Sequence, residues 1–505
     1  MTATGNTIVR TAAGEVIGRS DEDHYAFLGI PFAEPPVGDR RFAPPVAKTP
    51  WDGRFDATSV GAICPQPYDD LDRLLEVPKM NASEGECLTV NVWTPSERTD
   101  EPRPVLVWVH GGSFITGSNA WDIYSGSKLA ASGAVVVSIN YRLHGLGFLN
   151  LTGLFEGAEN SVNLAARDAI MGLEWVRDNV AAFGGDPGRV TIFGESAGAA
   201  MVSALAAAPA TRDLIHRVIP QSGMAHQLVP QEVGRQIAEN FLRVVGVEPG
   251  DWQGLRDLPV ERIVEVSMQS DELLKGVSDD RWLPWNLHRD PLTLPESASE
   301  AFASGNMRHL DMLIGTTADE NKLAWIVREP DADEDYPVND LDDAVVARMQ
   351  SVYRDAGRGR AAWELNEAIV NDQSYFVPAN RAVDEHVRQG SRAFVYLFTW
   401  RTEAFGGRLG SCHALEVPFV LDLLDHPVFL GPNPPRALAD AMHGAWLAFA
   451  ATGDPNGGSL PTWPEWDSET RPTMKFDVEC EVLSSPRAAE LRQWDDVPDD
   501  VLGVK

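Results

Sequence analysis

Cysteine is scarce and scattered. Cys64, Cys87, Cys412 and Cys480 are the only four in 505 residues. That is too few for a disulfide scaffold, and none shows the C-x-x-C spacing of a redox or zinc site. No H-E-x-x-H and no His/Cys cluster marks a metal, so neither a metal nor another cofactor is expected. Positive charge is also short: 42 Lys and Arg stand against 74 Asp and Glu, a formal net charge of −32. Phosphates would be repelled over most of such a surface, which argues against nucleic-acid and anionic-membrane partners. Long hydrophobic runs are missing too. The longest, such as Val105–Val109 and Ala134–Val137, fall far short of a bilayer. The opening MTATGNTIVRTAAGEVIGR carries no apolar run of signal-peptide type, so a cytoplasmic setting is expected. Asn81-Ala82-Ser83 and Asn150-Leu151-Thr152 then read as chance matches to a glycosylation acceptor. No Gly-Lys dipeptide occurs, which excludes a Walker-type phosphate loop. Gly145-Leu146-Gly147 lacks the third glycine of a dinucleotide fingerprint.

What is present is an alternation of short buried strands and helices. Pro104–Val109, Ala134–Asn140, Val190–Phe193, Arg217–Gln221, Leu310–Gly315 and Ala393–Trp400 read as strands. Residues 163–182 follow the helical period, with Leu164, Ile170, Leu173, Val176 and Val180 on one face. This pattern predicts an α/β fold with a mostly parallel sheet covered on both faces. Residues 224–308 turn helical and irregular, with Trp and Pro scattered through them. They read as an insertion over the mouth at the sheet's carboxyl edge. The acidic stretch Glu329–Asp343 and residues 430–435 read as loops. No repeat or long linker divides the chain, so one domain spans residues 1–505.

The most informative segment is Gly194-Glu195-Ser196-Ala197-Gly198, directly after a strand and before the small-residue helix Ala197–Ala207. A sharp strand-to-helix turn there lifts Ser196 out of the sheet, and glycines at both ends let strand and helix backbones approach. A serine hydroxyl needs a base within reach, and the base needs an orienting acid. The chain order should be Ser, then acid, then His. His386, His413, His426 and His443 are the candidates. His386 sits in a polar helical pattern and reads as a surface residue, and His443 reads as packing inside the helix Ala437–Ala450. His413 follows the strand Ala393–Trp400 and the glycine-bearing loop Gly406–Gly410, a position suited to a base. For the acid, Asp319 and Glu320 both follow the strand Leu310–Gly315, and spacing does not choose between them. Backbone donors for an oxyanion should come from Ala197 and from the turn His110-Gly111-Gly112-Ser113-Phe114.

These blocks resemble the type-B carboxylesterases, the α/β-hydrolase group that includes cholinesterases and bacterial para-nitrobenzyl esterases. Phe27-Leu28-Gly29-Ile30-Pro31-Phe32-Ala33-Glu34-Pro35-Pro36-Val37-Gly38 is similar to the family's opening signature. Glu86-Cys87-Leu88-Thr89-Val90-Asn91-Val92-Trp93 is similar to its second, and Ala182–Gly198 to its elbow block. Thr452-Gly453-Asp454-Pro455-Asn456 with Trp463-Pro464 is similar to its carboxyl-terminal block. The resemblance implies an α/β-hydrolase fold with Ser196 as nucleophile, Glu320 as acid and His413 as base. It implies Gly112, Ser113 and Ala197 as oxyanion donors, supported by Gly111, and Glu195, Ser222 and Glu416 as a buried polar network behind them. Asn321 stands where the family has glycine, and Ala169 where glutamine is usual. Cys64 and Cys87 align with a family disulfide, and reduced thiols are the alternative. The loop between them holds Tyr68 but no Trp, which speaks against cholinesterase specificity.

The implied activity is hydrolysis of small-molecule carboxylic esters through an acyl-enzyme on Ser196. A carbamate or amide hydrolase would use the same machinery, and a non-catalytic adhesion or scaffold relative is the rival from another class. Phe114, Met224 and Phe419 are the candidate pocket walls. Oligomeric state is not specified by these features.

Overall fold

The computed structural model describes residues 6–503 apart from 69, 75, 98, 225, 280–281, 327–337 and 339. Among the described residues thirteen strands form one sheet. The first five are β1 (Asn6–Arg10), β2 (Glu15–Ser20), β3 (His24–Pro31), β4 (Arg54–Asp56) and β5 (Thr89–Pro95). Then come β6 (Arg103–Val109), β7 (Val135–Ile139), β8 (Gly185–Glu195) and β9 (Arg217–Gln221). The last four are β10 (Asp311–Thr317), β11 (Ala393–Phe398), β12 (Pro472–Phe476) and β13 (Glu481–Ser484). Their order is β1-β2-β3-β5-β7-β6-β8-β9-β10-β11-β12-β13, with β4 beside β2. The run from β7 to β12 is parallel throughout, and antiparallel pairs flank it.

Side-chain alternation explains the two covered faces. Along β6, Val105, Val107 and Val109 join one core with Leu173 and Val176 of the helix Leu164–Asn179 and with Met201 and Val202. Leu106 and Trp108 point the other way, into a core with Met442, Trp446 and Phe449 of the helix Arg436–Thr452. Successive residues of a strand face opposite sides, so a run buried on both faces is apolar without a break. At the center of one face, Arg142 Nη2 meets Asp168 Oδ1 at 2.7 Å, with both side chains almost wholly buried. Ala169 lies on the same helix as Asp168 and is buried.

Two expectations change, at His386 and Phe419, and most of the segment 329–343 lies outside the described residues. His386 is not on the surface: the helix Val377–Arg388 buries it, Nε2 lies 3.0 Å from Leu310 O, and Phe302 meets the ring edge-on at 5.2 Å. Burial drives its pKa down to about 4. The helical pattern alone did not reveal that the helix Ala298–Ser304 would cover that face. Phe419 packs against Trp400 and Phe398 at 5.1 and 5.5 Å, inside the second core and not on the site's cavity. His443 packs as expected, with Nδ1 3.0 Å from Val420 O and Nε2 2.9 Å from Ser132 Oγ. Between β9 and β10 the chain forms helices including Gln231–Val245, Val260–Ser267 and Ala298–Ser304.

Candidate active site

Ser196 stands at the carboxyl end of β8, near the middle of the parallel run, with φ 60° and ψ −125°. This is a conformation that costs a side-chain-bearing residue roughly 1–3 kcal/mol. The neighbours hold it there. Ser196 N–H donates to Gln221 O of β9 at 2.9 Å. A Cβ on Gly194 would lie 2.5 Å from Val109 O, and one on Gly198 would lie 2.2 Å from the same atom. The two glycines are therefore required because the end of β6 presses against the elbow. The helix Ala197–Ala207 starts directly behind the serine and aims its free N–H groups there.

The glycine turn after β6 completes that side. Gly112, Ser113 and Phe114 all have positive φ (106°, 53° and 60°), which folds the turn back so that Ile115 and Thr116 donate to Gly112 O. Gly111 abuts the elbow itself: a Cβ there would lie 2.5 Å from Glu195 O. His110 anchors the turn by stacking on Tyr141 at 4.4 Å, and burial lowers its pKa to about 4, keeping it neutral. Among the described residues no acceptor takes the N–H of Gly112, Ser113 or Ala197. Ser113 and Ala197 line the same cavity as Ser196, and Gly112 stands one residue behind.

The candidate acid and base arrive from distant segments. Glu320 opens the turn Glu320–Ile326 after β10, is 1% exposed, and accepts Thr317 N–H on Oε1 at 2.7 Å. Its Oε2 lies 2.6 Å from His413 Nδ1. Asp319 faces elsewhere: it meets Lys322 at 2.6 Å and Arg401 at 3.0 Å. That decides between the two carboxylates. Asn321 keeps an ordinary negative φ and donates to Glu367 O at 3.4 Å, so this turn does not need glycine.

His413 and Ser196 line the same cavity. No hydrogen bond joins His413 Nε2 to the Ser196 hydroxyl, and Glu195 Oε1 lies 3.0 Å from Nε2. That oxygen lies off the ring N–H direction and forms no hydrogen bond with it. Catalytic hydrogen bonds of this kind are often loose in a free enzyme and tighten around substrate. Burial disfavours the imidazolium, but Glu195 and Glu320 outweigh it and hold the pKa well above the ordinary value of 6.5.

Behind this lies Glu416, fully buried, with Oε1 accepting Gln221 Nε2 at 3.2 Å. Burial, then the charges of Glu195 and Glu320, raise its pKa to about 8, so it is neutral at pH 7. Ser222 is buried nearby at φ 50°, but its hydroxyl makes no hydrogen bond with a described residue. Of the three candidate supporting residues, Glu195 bears on His413, Glu416 feels the charges of Glu195 and Glu320, and Ser222 contributes its N–H, donated to Gly315 O.

The cavity measures about 230 Å³, and Phe114 and Met224 line it. Sequence reasoning missed the rest of the wall. Tyr375, on the π-turn Asp372–Phe376, meets the His413 ring at 5.2 Å. Trp282 and Trp285 come from the 224–308 segment, whose scattered tryptophans were the available signal. Among the described residues no group of three His, Cys, Asp or Glu side chains is placed to hold a metal ion. Cys64 and Cys87 are free buried thiols.

A model of the Carboxylesterase family matches residues 5–494. The chain belongs to the carboxylesterase family. The esterase is 33% identical to the para-nitrobenzyl esterase of Bacillus subtilis (strain 168), over 96% of this chain and 98% of that one. It is 34% identical to the phenmedipham hydrolase of Pseudarthrobacter oxydans, over 92% and 93%. Among solved structures, a thermophilic PNB esterase superposes with a TM-score of 0.85 at 32% identity, covering 97% of this chain and all of that one. A Geobacillus stearothermophilus carboxylesterase does so with 0.84 at 33% identity. The esterase is a serine hydrolase of carboxylic esters on an α/β-hydrolase fold. No helix among the described residues is long and apolar enough to cross a membrane.

Proposed function

We propose that Ser196 is the nucleophile, His413 its base and Glu320 the acid, with the N–H groups of Gly112, Ser113 and Ala197 receiving the oxyanion. The observation that carries this reading is the 2.6 Å contact between Glu320 Oε2 and His413 Nδ1, with His413 lining the same cavity as Ser196. His413 takes the hydroxyl proton as Ser196 attacks the ester carbonyl. The tetrahedral oxyanion forms against the three N–H groups, and each such donor is worth about 2.7–4 kcal/mol in the transition state. His413 then protonates the departing alcohol, leaving an acyl-Ser196. Water loses a proton to the same imidazole, attacks, and releases the acid. Glu320 fixes the ring's tautomer, and Glu195 adds a second negative charge that favours the imidazolium formed at each step.

The aromatic wall suits compact, neutral esters of para-nitrobenzyl type, the chemistry for which one relative is named. The helical segment 224–308 acts as a cap over this cavity, within a single domain. The four free thiols fit a reducing, cytoplasmic setting, which fractionation of the native host would test. For the triad, a fluorophosphonate probe is the direct experiment: the esterase should label at Ser196, and Ser196→Ala should not label. Persistent labelling of the alanine variant would move the nucleophile elsewhere.

A further inference from the structure

The family match stops at residue 494, yet one wall of the ester cavity is made by residues 500–503. This tail adds no strand to the sheet; Asp499–Val501 form a short helical turn, and side chains of the body hold its backbone in place. Gln227 Nε2 donates to Asp499 O at 2.9 Å and to Leu502 O at 3.1 Å. Gln373 Nε2 donates to Val501 O at 2.8 Å, and Gly503 N–H returns to Gln373 O at 3.2 Å. Arg381 pairs with the Asp499 carboxylate and donates to Val497 O at 2.8 Å. The Leu502 side chain is 4% exposed and packs in a separate core with Tyr353, Ile369 and Trp494.

The two glutamines are informative. Gln227 lies three residues after Met224 in the cavity wall, and Gln373 lies two before Tyr375, which touches His413. The tail therefore straps together the two segments that flank the reacting groups. Asp500, Val501, Leu502 and Gly503 of the tail line the cavity that Ser196 lines.

We propose that residues 499–503 form a specificity wall that restricts this esterase to compact esters. The inference rests on the assignment of this cavity as the ester site. A hydrophobic wall discriminates by size, with each methylene accommodated or refused worth roughly 10–200-fold, so a displaced strap should admit longer chains.

The test is the ratio of kcat/KM for p-nitrophenyl octanoate to that for p-nitrophenyl acetate, with active sites counted by a fluorophosphonate. Ending the chain after Pro498 should raise the ratio about tenfold or more, and Arg381→Ala, which loosens the strap from outside the cavity, should raise it less. Val501→Trp should lower it about tenfold, because it fills the cavity from the strap side. If truncation prevents folding, the opposed signs of the two point variants still decide. Ratios within about twofold of the parent in both labelled variants would overturn the proposal. Failure of the parent itself to label would instead count against the Ser196 assignment.

Discussion

The two corners of the active site are built in contrasting ways. The nucleophile corner is one continuous block, Gly185 to Ala207, whose strand, strained serine and helix are set by steric contacts between backbones. The acid–base corner is assembled from the ends of two different strands and is set by charge in a buried place, with Glu195 and Glu320 beside one imidazole and Glu416 subject to both of their charges. The first tolerates no added volume. The second is governed by charge.

Substitutions that keep shape and change chemistry sharpen this contrast. The largest effect should be Ser196→Ala, with kcat for p-nitrophenyl acetate lost by about 10⁶-fold. Glu320→Gln, near-isosteric, should lose about 10⁴-fold, because the imidazole loses its orienting charge. A loss for Glu320→Gln of less than about tenfold would mean that Glu195 has taken over that duty. On the steric corner, Gly198→Ala should cost about 1–3 kcal/mol of stability, read from urea unfolding, since its Cβ would sit 2.2 Å from Val109 O.

Two smaller effects probe the charge corner by pH. The base must be neutral to act, and its pKa is raised, so the acid limb of kcat/KM should lie above pH 6.5. Glu195→Gln removes one flanking charge and should move that limb to lower pH. The raised pKa also means that imidazolium-linked stability is fully present below about pH 6.5 and lost as pH rises through the folded value. Glu416 works oppositely to an ordinary surface acid. It folds neutral, so its contribution declines from the unfolded value of 4.5 up to about 8. Glu416→Gln should therefore raise thermal stability at pH 9 relative to the parent and matter little at pH 5.

The difference between the corners also explains what could be read in advance. Short-range constraints put Ser196, its two glycines and the turn at Gly111–Ser113 within reach of pattern alone. The choice between Asp319 and Glu320 was not, because both follow β10 and only the neighbours Lys322, Arg401 and His413 separate them. His386 was misplaced for the same reason: a helix face says that it is polar, not what packs against it. Tyr375 and the tail at 500–503 carried no marker, since a cavity wall is shared among segments that no local period connects.

By itself, then, the order of residues determined the parallel sheet, the elbow and which serine is lifted from it, because steric exclusion between adjacent backbone atoms acts over a few residues. Tertiary structure decided how Glu320 meets His413, that His386 is buried, and what closes the cavity. Those outcomes depend on charge, burial and contact between residues tens to hundreds of positions apart, and such forces exist only once the chain has folded.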